Sequence, residues 1–288
     1  MKKNIRPLQL FIVLVLFSCG SSVDSTDFTA EWAFTEGVEG PATDQQGNIY
    51  AVNFKEQGTV GRITPNGEAS LFVRLPDSSI GNGIRLGNEN QMYIADYVNH
   101  NVLEVNMKTK EISVFAYSAD ANQPNDLAIS SSQTIYASDP NWGDNTGKLW
   151  KVSKSRGFEL LEENMGTTNG IEVSPNGKTL YVNESVQRNI WKYDIEADGN
   201  IKNKTLFYAF NDFGLDGMRC TPNGNLFVTR YDKGTLVIFS PDGKLLREFK
   251  LKGKKPSNIT FSNDYKMCYM TMADRGCLET IDLSQVKF

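Results

Sequence analysis

The sequence predicts an all-β fold, a six-bladed β-propeller with four-stranded antiparallel blades. Three observations carry this expectation. One phrase recurs six times: a polar residue, a small or polar one, an apolar stretch, a turn, then an apolar-aromatic strand. Its copies are "EGPATDQQGNIYAVN" from Glu39, "NGIRLGNENQMYIAD" from Asn82, "NDLAISSSQTIYASD" from Asn125, "NGIEVSPNGKTLYVN" from Asn169, "DGMRCTPNGNLFVTR" from Asp216 and "SNITFSNDYKMCYMT" from Ser257. Their starts are 43, 43, 44, 47 and 41 residues apart, and a beat of roughly 40–50 residues built of short strands marks propeller blades. The second observation is turn chemistry, with "TPNG" twice and "SPNG" and "SPDG" once each where hairpins are needed. The third is that no segment keeps a long amphipathic helical period, while Gly (24), Tyr (11) and Phe (16) favour strands and tight turns.

The fourth copy shows how one blade is assembled. "GIEVS" is the innermost strand, "TLYVNES" the second, "NIWKYDI" the third and "KTLFYAF" the outer one. The sixth copy supplies "NITFS", "KMCYMTM" and "CLETIDL" and lacks a fourth strand. "FTAEWAFTE", residues 28–36, has no blade of its own. Pairing it as the outer strand of the last blade would close the ring and remove exposed edges. Trp150, Trp191 and the series Tyr50, Tyr93, Tyr136, Tyr181, Phe227 and Tyr269 recur at strand positions, as expected of packing between blades.

Ahead of the repeats, "MKKNIRP" is a basic segment followed by the apolar run "LQLFIVLVLF", too short to span a bilayer comfortably. It ends in "FSCG", which resembles the lipobox of bacterial lipoproteins. Residues 1–18 therefore read as a lipoprotein signal peptide with Cys19 as the lipidated residue, 19–27 as a flexible tether and 28–288 as the propeller. That reading places the protein in a bacterial cell envelope, on the periplasmic side or outer membrane, held to the membrane only by its N-terminal lipid. Removing Lys2, Lys3 and Arg6 with the signal moves the formal charge from −4 to −7, which argues against a nucleic-acid partner. Cys220, Cys268 and Cys277 remain, and Cys268 and Cys277 do not look directly opposed in their hairpin. With His100 the only histidine and no Cys-x-x-Cys, zinc sites and histidine triads are poorly supported.

The six leading residues, Glu39, Asn82, Asn125, Asn169, Asp216 and Ser257, all carry a side-chain oxygen. In a propeller, equivalent positions on the innermost strands form a ring at one mouth of the channel. Asn-Gly and Asp-Gly are also favoured turn pairs, so the recurrence has a bland reading as strand starts. Glu39 fits that reading badly, because Glu is a poor turn residue. Two carboxylates with neutral amide oxygens suit a hard cation such as calcium, with another divalent cation the alternative.

At these residues the chain resembles the family of gluconolactonase, regucalcin and diisopropyl fluorophosphatase. "EGP" with Glu39, "PND" with Asn125, "NGIEVSPNGKTLYVNES" with Asn169 and "LDGMRCTPNGNLFVTRY" with Asp216 carry the likeness, which extends over residues 36–288 in blade order. The resemblance implies a catalytic calcium in the central channel and a lactone, or related ester, as small-molecule substrate. It implies Glu39, Asn169 and Asp216 as metal ligands, and Asn125 as a fourth ligand or a residue holding water or substrate. Asp216 would be the base and Asn125 would share in catalysis. Asn82 matches an asparagine of some members and would face substrate.

In the loop "SDPNWGDN", Asp139 and Trp142 match a "DP" segment that borders the pocket in family members and would shape substrate binding, since loops on a rigid scaffold carry specificity; the competing reading is an exposed Gly/Asn-rich loop that only connects strands. Arg85 and Arg230 lie near strands that feed the channel, where surface or inter-blade roles compete with binding an acidic substrate. His100 reads as a surface turn and "KLKGKKP" (250–256) as a solvated loop. A monomer is expected. The rival functions are a non-catalytic propeller that binds a ligand or protein, since fold does not fix function, and phosphotriester hydrolysis at the same metal site.

Overall fold

The structure, a computed structural model, describes residues 24–286 except Asp77 and Glu89. Its strands form six four-stranded antiparallel sheets, and no helix occurs among the described residues. Blade 1 covers residues 42–74, blade 2 81–117, blade 3 127–165, blade 4 168–209 and blade 5 218–250. Blade 6 takes three strands from residues 256–282 and its fourth from the N-terminus.

The ring closes as the orphan three-strand repeat demands, but with a different segment. Thr26–Asp27 pairs antiparallel with Cys277–Asp282, Thr26 opposite Thr280 and Asp27 opposite Glu279. The outer strand thus begins at Thr26 rather than Phe28. Residues 28–36 cross from blade 6 to blade 1, where Phe34 bridges Phe54, so they cannot lie along one blade. Asp24 to Asp27, expected in the tether, instead belong to the closure: the Asp24 amide donates to the Lys250 carbonyl and Ser25 Oγ to Glu279 Oε2 at 2.5 Å. The signal segment and Cys19 lie outside the described residues.

The segment 250–256 is strapped down rather than merely solvated. Glu279, fully buried, accepts from the Lys252 and Gly253 amides and from Arg275. Asp274 accepts from the Lys254 and Lys255 amides. Arg275 ties Glu279 to Asp27, so one salt-bridged cluster pins the closing strand.

The core lies between blades, because each sheet buries its two faces against its two neighbours. Tyr50 packs in the blade 1–2 cluster with Ile84 and Met92, Tyr93 in the blade 2–3 cluster with Leu127 and Trp150, and Tyr136 in the blade 3–4 cluster with Ile171. Tyr181, Phe227 and Tyr269 repeat the position at the remaining three interfaces. An aromatic at this same strand position in every interface is what a repeat at fixed register produces. Cys220, Cys268 and Cys277 are free thiols, and the register sets Cys268 opposite Ile281 and Cys277 opposite Met272.

Candidate functional site

The leading residues reach the channel by two devices. In blades 2, 4 and 6 they sit inside interruptions of the inner strand. Pairing jumps from Gly81↔Asp96 to Ile84↔Ile94 around Asn82, from Thr168↔Glu184 to Ile171↔Val182 around Asn169, and from Pro256↔Met272 to Asn258↔Thr271 around Ser257. A bulge re-aims the side chain it carries. In blades 1, 3 and 5 the inner strand starts only after the leading residue, at Ala42, Leu127 and Met218. None of Gly83, Gly170 and Gly217 has positive φ, so these Asn-Gly and Asp-Gly pairs are not hairpin turns.

The glycines answer a different need. A Cβ on Gly170 would lie 2.2 Å from the Asp216 carbonyl oxygen, and one on Gly217 2.2 Å from Cγ and Oδ1 of Asn258. A Cβ on Gly83 would lie 2.5 Å from Asp126 Oδ1. The side chains that Gly83 and Gly217 make way for are Asp126 of blade 3 and Asn258 of blade 6.

Above that level, all six leading residues line one cavity of about 350 Å³. Val38, Ser185, Tyr231, Ala273, Trp142 and the exposed Glu36 complete its wall. Trp142, Ser185, Tyr231 and Ala273 stand in loops joining second and third strands, which therefore crown this mouth of the channel. Trp142 is 41% exposed.

Glu39 is buried, and Asp216 lies within side-chain hydrogen-bond reach of both Glu39 and Asn169. Neither carboxylate is in an ion pair among the described residues. Burial first, and the Asp126 charge second, push the Glu39 carboxyl up to about 7. Burial, then the charges of Glu39 and Asp126, hold Asp216 well above the usual carboxylate range. Asn125 Oδ1 is buried without a hydrogen-bond partner. Ser257 is already spent, its Oγ donating to the Val38 carbonyl at 2.7 Å.

Two proton-hungry carboxylates, an unpartnered amide oxygen and the Asn169 amide form an oxygen donor set that fits a hard cation. No cluster of three or more His, Cys, Asp or Glu exists among the described residues, so a cation here depends on amide oxygens as well. Glu39, Asn125, Asn169 and Asp216 are the residues that would hold it.

Below the cavity runs a second polar layer that the sequence reading did not single out as a unit. Asp126 accepts from Arg85 at 3.0 Å and from Asn258 Nδ2 at 3.3 Å, and lies 3.6 Å from Arg219. Arg85 also reaches the Ile171 carbonyl and Glu172. Burial, opposed by the two arginines, raises Glu172, and burial with the neighbouring Arg85 lowers Arg219 to about 10. Arg85 is thus structural, as is Arg230, which pairs with Asp212 and stacks on Phe210 at 3.6 Å. Writing the six repeats one above another gives second letters G, G, D, G, G, N, and the two exceptions are the residues of the plug.

Of the expected substrate residues, Asn82 and Trp142 line the cavity and Asp139 does not. Asp139 is buried, accepting the Asn122 and Gln123 amides and the Trp150 indole N–H at 2.8 Å. It anchors the loop before Asn125, and lines a separate polar cavity with His100, whose Nδ1 lies 2.9 Å from the Asn122 carbonyl.

Comparison with known proteins shows the family and agrees with the fold. The family described as SMP-30/Gluconolactonase/LRE-like region matches residues 39–274. A gluconolactonase of Zymomonas mobilis is 28% identical over 243 residues, covering 72% of this chain and 68% of that enzyme. A diisopropyl-fluorophosphatase of Loligo vulgaris is 25% identical, covering 82% of this chain and 85% of that enzyme. The solved structure of a calcium-binding regucalcin from Agrobacterium tumefaciens superposes with a TM-score of 0.78 at 17% identity, covering 90% of this chain and 93% of that one.

Proposed function

The chain belongs to the SMP-30/gluconolactonase/LRE-like family, and on that premise we propose that it hydrolyses a lactone with a divalent cation, calcium, held in the central channel. The observation that carries this reading is convergence. Glu39, Asn125, Asn169 and Asp216 come from four blades and meet at one cavity, with a buried Asn125 oxygen that nothing else satisfies. A passive scaffold gains nothing from a buried and an adjacent half-buried carboxylate without ion-pair partners, which cost stability unless something binds them.

A cation bound here supplies charge to polarise the lactone carbonyl and to balance the oxyanion as water adds. The protein residues do the rest. Glu39 and Asn169, both within side-chain hydrogen-bond reach, position the Asp216 carboxyl. Asp216 takes the proton of the attacking water, a bound cation keeping its carboxyl in the ionised form that a base requires. The plug of Asp126 and Asn258 floors the cavity, so substrate enters and leaves by the mouth that carries Trp142 and Tyr231. Asn82, whose amide donates to the Asn125 carbonyl, orients substrate at the rim.

The test is turnover of aldonolactones, acyl-lactones and phosphotriesters with calcium and with chelator. Calcium-dependent lactone opening supports the reading, and phosphotriester turnover alone, or no turnover with ligand binding, replaces it with one of the rivals. By its N-terminal sequence we place the mature protein in the cell envelope, anchored through Cys19. Globomycin-sensitive processing and labelling with a lipid precursor test that placement.

A further inference from the structure

The cavity wall contains Glu36, Glu39 and Asp216 and no Lys, Arg or His. Two guanidinium groups of the polar layer below, Arg85 and Arg219, are buried and engaged elsewhere. Arg85 donates to the Ile84 and Ile171 carbonyls and to Asp126, and Arg219 to the Met218 and Pro41 carbonyls, with side-chain exposures of 8% and 10%. Arg230, the third candidate, is 1% exposed and held by Asp212. A divalent cation balances Glu39 and Asp216, leaving Glu36 as the uncompensated charge at the mouth. Glu36 is exposed and has no hydrogen-bond or ion-pair partner among the described residues. Trp142, Tyr231, Val38 and Ala273 supply aromatic and apolar surface to the same cavity.

We infer that this site, read as a lactonase, selects uncharged lactones and rejects those carrying a carboxylate, phosphate or sulfonate, with Glu36 the residue that sets the charge filter. An anionic group entering beside Glu36 meets a like charge, and no cationic side chain among the described residues lines the cavity, the Lys255 ammonium being engaged over the Tyr231 ring at 5.6 Å. The same field acts on the product. Lactone opening adds water across the ester C–O bond, releasing a hydroxy acid that ionises to a carboxylate, and an acidic mouth speeds its departure.

The experiment compares a neutral aldonolactone with the same lactone phosphorylated at its far end. The inference expects kcat/KM on the order of tenfold to a hundredfold higher for the neutral member, with the ratio shrinking as salt screens Glu36. Glu36→Gln is expected to cut the ratio about threefold to tenfold, and Glu36→Lys to cut it further. Weak competitive inhibition by the open aldonate anion, strengthened in Glu36→Lys, is an independent readout. Equal turnover of the pair, or a ratio unmoved in both variants, overturns the charge filter alone. Turnover of neither lactone overturns the lactonase reading on which it rests.

Discussion

Asn258 of blade 6 donates to Asp126 of blade 3 at 3.3 Å, a hydrogen bond that crosses the channel between opposite blades. It also reaches Glu39, so the plug and the donor set share a side chain. Asp126 is the common partner of Arg85 and Arg219 as well. Removing one member of a buried ionic set strands the others. Asp126→Ala is therefore expected to lower stability by about 3–5 kcal/mol, measured by denaturant unfolding. A loss under about 0.5 kcal/mol, typical of a surface change, would contradict the plug's structural role.

The glycines beside the donor residues give a steric prediction. In Gly170→Ala the new Cβ would press on the Asp216 carbonyl, which is backbone and cannot swing aside. Overpacking of this kind costs about 1–3 kcal/mol. Gly143→Ala is the control, because its nearest neighbour is a side-chain oxygen 3.5 Å away. Thermal unfolding should separate the two variants clearly, and equal melting temperatures would refute the argument.

Much of this was legible in the sequence. The 43-residue beat and one aromatic per repeat gave blade number, strand order and packing faces, because a repeat imposes the same physics six times. Glu39, Asn82, Asn125, Asn169, Asp216 and Trp142 were likewise readable as channel residues, and they meet at one cavity. Asp139 was not, because a loop sequence does not say whether its carboxylate faces solvent or folds back onto its own amides. The closing strand was placed at Phe28 rather than Thr26 because "SSVDSTD" has tether composition and a two-residue strand has no pattern to read. The plug was visible only by aligning repeats on their second letter, where two polar exceptions stand among glycines.

The closure predicts a local effect. Arg275 joins Asp27 to the buried Glu279, and its hydrogen bond holds the Asp27 carboxyl below its usual range. Arg275→Ala leaves Glu279 buried with its cationic partner gone, a change expected to cost about 3–5 kcal/mol. Amide exchange in residues 24–29 and 277–282 should rise before exchange elsewhere. Uniform acceleration over all blades would show that the ring does not open at this seam.

A pH dependence follows from Glu39. Its carboxyl ionises near 4.5 when unfolded and is pushed up to about 7 when folded without a cation. Between those values the folded chain holds a proton the unfolded chain has lost, so this group makes stability fall as pH rises. The contribution is fully present below about pH 4.5 and gone above about 7. A cation binds the ionised form, so calcium should raise the melting temperature more at pH 8 than at about pH 5. Glu39→Gln should flatten the chelator-treated profile and remove the calcium effect. A wild-type profile indistinguishable from the variant's would contradict the assignment.

The central claim is that Asp216 holds the cation and takes the proton. The most direct measurement is calcium binding by titration calorimetry alongside calcium-dependent lactone turnover, for the wild type and Asp216→Asn. The account predicts one bound calcium and measurable turnover in the wild type. In the variant it predicts weakened binding, a loss of about 10²–10⁴ in kcat/KM and, in chelator, an unchanged or higher melting temperature, since a carboxylate crowded by Glu39 and Asp126 has been neutralised. Full activity in Asp216→Asn, or a wild type that opens lactones while binding no divalent cation, would contradict it.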